Sequence, residues 1–160
     1  MSGFRRGTRL GIDVGKARIG VSRCDPDGML AVPVETVPRS ETSIDRILQI
    51  VAEWEPIELV VGLPVNMRGE ETASTDDARA FAEDLRRRSG LDVRMVDERL
   101  STVSAHTALR SSGRSQKKSR SIVDQVAAVV LLQHAVDTEK STGRPAGALI
   151  PAVQEPPRDV

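Results

Sequence analysis

Three carboxylates carry the chemistry of this sequence: Asp13 in GIDVG, Glu98 in VDERLST and Asp124 in SIVDQVAAVVLL. They are far apart in the chain, so only a fold can gather them. Each stands where a regular element begins or ends, beside apolar residues that read as core. A carboxylate near a core is costly unless it is paired, hydrogen-bonded or bound to a cation. Three that converge make a hard oxygen site suited to Mg2+ or Mn2+. Each acid also has an ordinary explanation. Asp13 can cap the turn after a strand, and Asp97-Glu98-Arg99 can form a local ion pair, worth little if exposed. Ser121-x-x-Asp124 reads as a capping box, and an acid in a first helical turn suits the helix dipole.

Basic residues near these acids would meet a phosphate. Lys16 and Arg18 follow Asp13, and Gly15, between Asp13 and Lys16, leaves room for a close approach. Arg99 follows Glu98, and its planar fork suits bidentate contact with phosphate. Arg110, Arg114, Lys117, Lys118 and Arg120 crowd into RSSGRSQKKSR, residues 110–120, a stretch with no acid. It reads either as a solvated loop or as a mobile basic arm that clamps phosphates. Asn66 and Arg68, in GLPVNMRG, are further candidate contacts to nucleic-acid backbone or bases. His106 and His134 lack ligand spacing and are assigned to packing or surface.

The elements that must position these groups follow from periodicity. Residues 9–14 read as a strand with Leu10, Ile12 and Val14 on one face, and residues 18–23 as a second strand. The turn Asp25-Pro26-Asp27-Gly28 leads to a third strand over residues 29–37. Ile44, Ile47, Leu48 and Val51 then take helical spacing, with Thr42-x-x-Asp45 as a capping box. Residues 59–62 form a short, wholly apolar strand of the kind covered on both faces. A second helix presents Ala78, Phe81, Ala82 and Leu85 and ends at Arg86-Arg87-Arg88 and Gly90. Residues 93–96 are a fifth strand, followed by a short helix over 102–110 and a long one over 122–140.

Three meandering strands followed by alternating helix and strand match the ribonuclease H-like α/β fold: a five-stranded mixed sheet, three strands antiparallel and two parallel, flanked by helices. Right-handed crossovers put the Asp13 strand at the centre. Sites in open α/β sheets form at the carboxyl ends of strands, which places Asp13 and Glu98 on one edge. The expected organisation is a flexible N-terminus (1–8), one domain (9–140) and a disordered, proline-rich tail (141–160).

Composition narrows the class. Charges balance at 23 basic and 23 acidic residues, so any polyanion-binding surface is local. With two Phe, one Trp and no Tyr, the core must be aliphatic. Cys24 has no second cysteine to pair with in the chain, which fits a reducing cytoplasm. No apolar run approaches the roughly 20 residues of a membrane span, and no signal-peptide pattern opens the chain, so a cytoplasmic protein without a membrane partner is expected.

Taken in order, GIDVGKARIGVS, VVGLPVNMRGEE, DERLST and KKSRSIVDQVAAVVLLQ resemble the YqgF-type, or RuvX-like, family over about residues 9–133. Members are described as pre-16S rRNA nucleases or Holliday-junction-resolvase-like proteins. The resemblance implies that Asp13, Glu98 and Asp124 are the acidic catalytic set. It implies phosphodiester hydrolysis with two Mg2+ or Mn2+ ions roughly 4 Å apart, Asp13 bridging them. The implied substrate is the 5′ end of precursor 16S rRNA, in ribosome biogenesis. Branched DNA is the alternative, and a homodimer would favour it, because symmetric cleavage of a four-way junction needs two sites. Family sequences often carry an acidic or amide residue where Arg68 stands here. Two other readings stay open: an RNA-binding module with structural acids, and an actin-like ATPase, whose first phosphate loop GIDVG also resembles.

Overall fold

Alternation along each strand decides which residues meet which layer. The computed structural model describes residues 3–98 and 116–151, excepting the side chains of 116–124. Its elements are β1 (Arg9–Val14), β2 (Arg18–Cys24), β3 (Ala31–Pro38), α1 (Ser43–Trp54), β4 (Glu58–Leu63), α2 (Ala73–Ser89), β5 (Asp92–Asp97), α3 (Gln116–Thr142) and β6 (Ala148–Leu149). The expected helix over 102–110 lies outside the described residues.

The sheet order is β3-β2-β1-β4-β5-β6. β1, β2 and β3 form the antiparallel meander, while β1–β4 and β4–β5 pair in parallel through helical crossovers. This is the expected ribonuclease H-like arrangement with one strand more. β6 adds antiparallel to β5, pairing Leu149 with Arg94 and Ala148 with Met95, and Ile150 beyond it is buried. The expectation of a structureless tail therefore fails for residues 141–151. Two residues are too few to show periodicity, so β6 has no sequence signature.

Two cores sandwich the sheet. Leu10, Ile12, Ile19, Val21, Leu59, Val61 and Val93 join Ile47 and Ile50 of α1 and Ala78, Phe81, Ala82 and Leu85 of α2. The opposite face joins Cys24, Ala31, Val60 and Val96 to Leu131, Leu132, Ala135 and Val136 of α3. The predicted α2 face and its Gly90 C-cap, left-handed at φ 71°, are both present. The Thr42–Asp45 box does not form: Thr42 makes no side-chain cap bond, and Ser43 Oγ instead donates to Pro38 O at 2.7 Å.

The amino edge of the sheet is tied by a buried charge network. Arg9 donates to Glu139 at 2.7 Å, and Arg5 reaches both Glu139 and Glu58. Arg94 donates to Glu58 at 3.2 Å. Arg5 is thus anchored, which corrects the expectation of a flexible segment through residue 8. The contacts span chain separations too long for local pattern to reveal. Among the described residues, no helix is long and apolar enough to cross a membrane.

Candidate active site

Parity along three strands puts one group of residues on the face that α3 covers. Because Leu10 and Ile12 point into the α1/α2 core, Gly11 and Asp13 point the other way. Val60 faces α3, and so does Gly62 two residues on; Val96 faces α3, and so does Glu98. In the parallel register Val61 pairs with Ile12 and Gly62 with Val96. β4 therefore lies between the strand of Asp13 and the strand of Glu98, with a glycine at the point where the two acids would meet.

The acids do meet. The Glu98 side chain is hydrogen-bonded to Asp13. Adjacent strands lie roughly 4.8 Å apart, so carboxylates two strands apart touch only if nothing stands between them. A Cβ at Gly62 would overlap Oε2 of Glu98 and sit 3.2 Å from its Cδ. The backbone holds the arrangement too, since Glu98 N donates to Leu63 O at 3.3 Å. Asp97, one residue earlier, points to the other side and is exposed. Gly62 is the residue that sequence reasoning missed. A lone glycine in the strand ELVVGL was its only signal in the sequence.

Burial, and then the charge of Asp13 with the hydrogen bond to it, push the Glu98 carboxyl from its ordinary 4.5 up to about 9. The site therefore holds a proton at neutral pH between two oxygens that a hard cation would bind instead. The donor set fits Mg2+ or Mn2+. Among the described residues, no three His, Cys, Asp or Glu side chains form a metal-holding group.

Asp124 belongs to α3, and the structure changes its context. The helix begins at Gln116, so Asp124 stands in its third turn and not at the cap that Ser121 would make. Its side chain lies outside the described residues. One turn further on, Ala128 O accepts from the buried Ser22 hydroxyl at 2.7 Å. A Cβ at Gly11 would stand 2.8 Å from that same carbonyl and 2.8 Å from Leu132 Cβ. Gly11 thus lets α3 lie flush on β1, two residues before Asp13. Gln125 adds a bond to Thr36 at 2.8 Å.

The predicted phosphate contacts divide. Lys16 is exposed at the β1–β2 turn, where Gly15 N donates to Arg18 O at 2.9 Å, and Arg18 is half-buried at the start of β2. Arg68 is exposed at the tip of the loop after β4. Asn66 is exposed in the same loop. Its Oδ1 accepts from Arg68 N at 3.0 Å and Glu70 N at 2.9 Å, so the side chain shapes its own loop. Arg99, Arg110 and Arg114 lie outside the described residues. Lys117, Lys118 and Arg120 fall in the first turns of α3, with their side chains outside the description. The basic stretch 110–120 is therefore helical from residue 116 and not a loop throughout.

A family model described as "RuvX: Holliday junction resolvase" matches residues 7–138. A protein of Clavibacter sepedonicus named "Putative pre-16S rRNA nuclease" is 56% identical over 151 residues, covering 92% of this chain and 94% of its own length. A protein of the same name from Leifsonia xyli is 58% identical over 146 residues, covering 90% and 94%. In fold the chain is similar to the Thermus thermophilus RuvC solved with a Holliday junction substrate. That likeness has a TM-score of 0.55 and 19% identity, and covers 86% of this chain and 98% of that one.

Proposed function

This chain belongs to the RuvX family, and from that premise we propose that it is a metal-dependent nuclease that hydrolyses a phosphodiester at the Asp13–Glu98 edge, maturing the 5′ end of precursor 16S rRNA. The contact between Asp13 and Glu98 over Gly62 carries the reading. Two half-buried carboxylates share a proton there at the carboxyl ends of their strands, a costly arrangement with no evident structural return. Asp13, Glu98 and Asp124 would hold two Mg2+ or Mn2+ ions, which when bound supply an activated water and stabilise charge developing on the phosphate. To hold a cation Glu98 would have to be deprotonated, because metal ligands bind in their deprotonated form. Lys16 and Arg18 lie on the rim, where their charge would draw and orient the phosphodiester. Arg99 and the basic residues 110–120, among them Arg110, Arg114, Lys117, Lys118 and Arg120, would complete that phosphate surface.

The test compares cleavage of a precursor 16S rRNA 5′ segment with cleavage of a four-way DNA junction, in Mg2+ and in Mn2+. Asp13→Asn and Asp124→Asn should each lose cleavage by at least about 1,000-fold while keeping the fold and most nucleic-acid binding. Unchanged cleavage in both variants would remove these acids from the chemistry, and a wild type that binds either substrate but cuts neither in either metal would leave a binding module with structural acids. The description of the matching family favours a second reading, a resolvase on branched DNA. A stable homodimer cutting the junction symmetrically, without activity on the RNA, would establish that reading instead.

A further inference from the structure

We propose that Met67, at the tip of the loop joining β4 to α2, is the surface on which the substrate lays an unstacked base beside the bond to be cut. Met67 is 83% exposed, more than any other large apolar side chain among the described residues. A scattered exposed apolar side chain is ordinary by itself. Here the loop around it is built. Val65 bridges to Glu71, Asn66 N donates to Glu70 O at 3.0 Å and Gly69 N to Asn66 O at 2.9 Å. The Asn66 side-chain Oδ1 accepts two further backbone N–H groups, those of Arg68 and Glu70. Gly69, at φ 80°, takes the left-handed position that closes a turn of this length.

The base of the loop is rooted in the site. Leu63 O receives the Glu98 amide, and Pro64 O receives the Thr75 hydroxyl from the start of α2. The tip therefore keeps a defined position relative to the two carboxylates, and an apolar side chain is held in water by bonds already formed. Ordering entropy is thereby spent before substrate arrives. A methionine has an unbranched, polarisable thioether that conforms to the face of any base, and Arg68 beside it can reach the adjoining phosphate. Apolar side chains of this kind occupy spaces where bases have come apart. A continuous duplex offers one only at the cost of unstacking a base step, while single strands and branch points offer several without that cost. The ligand class is a nucleic acid with at least one unstacked nucleotide next to the scissile phosphate. This inference rests on the nuclease reading above.

The experiment uses the full chain as wild type, Met67→Ala, Met67→Leu and Asp13→Asn. Substrates are a single strand with 2-aminopurine next to the cleavage position mapped with wild type, and a blunt duplex of the same sequence. Met67→Ala should raise KM on the single strand about tenfold, as loss of a partly buried Met contact implies, with kcat within about threefold. It should also lose the 2-aminopurine fluorescence change that wild type and Asp13→Asn both give on binding, and Met67→Leu should restore both signals. Wild-type KM and fluorescence in Met67→Ala would overturn the proposal and leave the nuclease reading standing. So would an equal loss on the blunt duplex. If wild type neither binds nor cuts any of these substrates, the nuclease reading falls and takes the proposal with it.

Discussion

Gly62 lies directly against the carboxylate of Glu98, at a spot where any Cβ would overlap Oε2. The strand between the two acids therefore has no side chain at the one position that would part them. Gly62→Ala should push the Glu98 carboxylate aside. The displaced group is the free end of a flexible side chain, so unfolding free energy should change by no more than about 1 kcal/mol. Cleavage should fall roughly 100-fold, as misplacement of a reacting group by about 1 Å implies. Steady-state kinetics beside urea unfolding would separate the two effects; full activity would show that the contact is incidental.

The raised Glu98 carboxyl makes a signed prediction for pH. The unfolded group ionises near 4.5 and the folded one near 9, so between those values the folded metal-free protein holds the extra proton. Stability then falls as pH rises across that window. Thermal unfolding of metal-free protein from pH 5 to 9 should show the fall, and Glu98→Gln, which mimics the protonated form, should flatten it. Mg2+ should release a proton on binding, read as a buffer-dependent heat in titration calorimetry. A heat independent of buffer would contradict the assignment of the proton to this pair.

Gly11 and Ser22 set how closely α3 approaches β1. A Cβ at Gly11 meets backbone carbonyl and a packed Leu132, neither of which yields easily. Gly11→Ala should cost about 1–3 kcal/mol as overpacking. It should also lower cleavage, because Asp124 rides on the same helix one turn from Ala128. Denaturant unfolding and kinetics together check this: a stability loss without an activity loss would detach Asp124 from the site.

At the far end of α3, burial alone would raise the Glu139 carboxyl, yet the hydrogen bonds from Arg5 and the charge of Arg9 hold it below the ordinary value. The stability this contributes is present above about pH 4.5 and is lost as pH falls through the folded value. Glu139→Leu leaves Arg9, only 2% exposed, without its carboxylate. The expected cost is about 3–5 kcal/mol, since a buried charge loses its partner. Arg9→Met combined with Glu139→Leu should cost less than Glu139→Leu alone, measured by urea unfolding at neutral pH.

Strand and helix faces could be read from residues close in the chain. The alternation of Leu10 and Ile12 with Gly11 and Asp13 already turns Asp13 away from the α1/α2 core, and the spacing of Ala78, Phe81, Ala82 and Leu85 marks the buried side of α2. Burial on one face imposes a period, and a period is visible locally. Register between strands distant in the chain leaves no such trace. Only the parallel pairing of β1, β4 and β5 reveals that Gly62 separates Asp13 from Glu98, and only their contact raises the Glu98 carboxyl. The same holds for Asn66, whose side chain serves its own turn, and for Arg5, which is anchored by acids far along the chain. A residue's type states what chemistry it can do. Which partner it meets is decided by the packing of elements, because contact energies depend on distances that the order of residues does not contain.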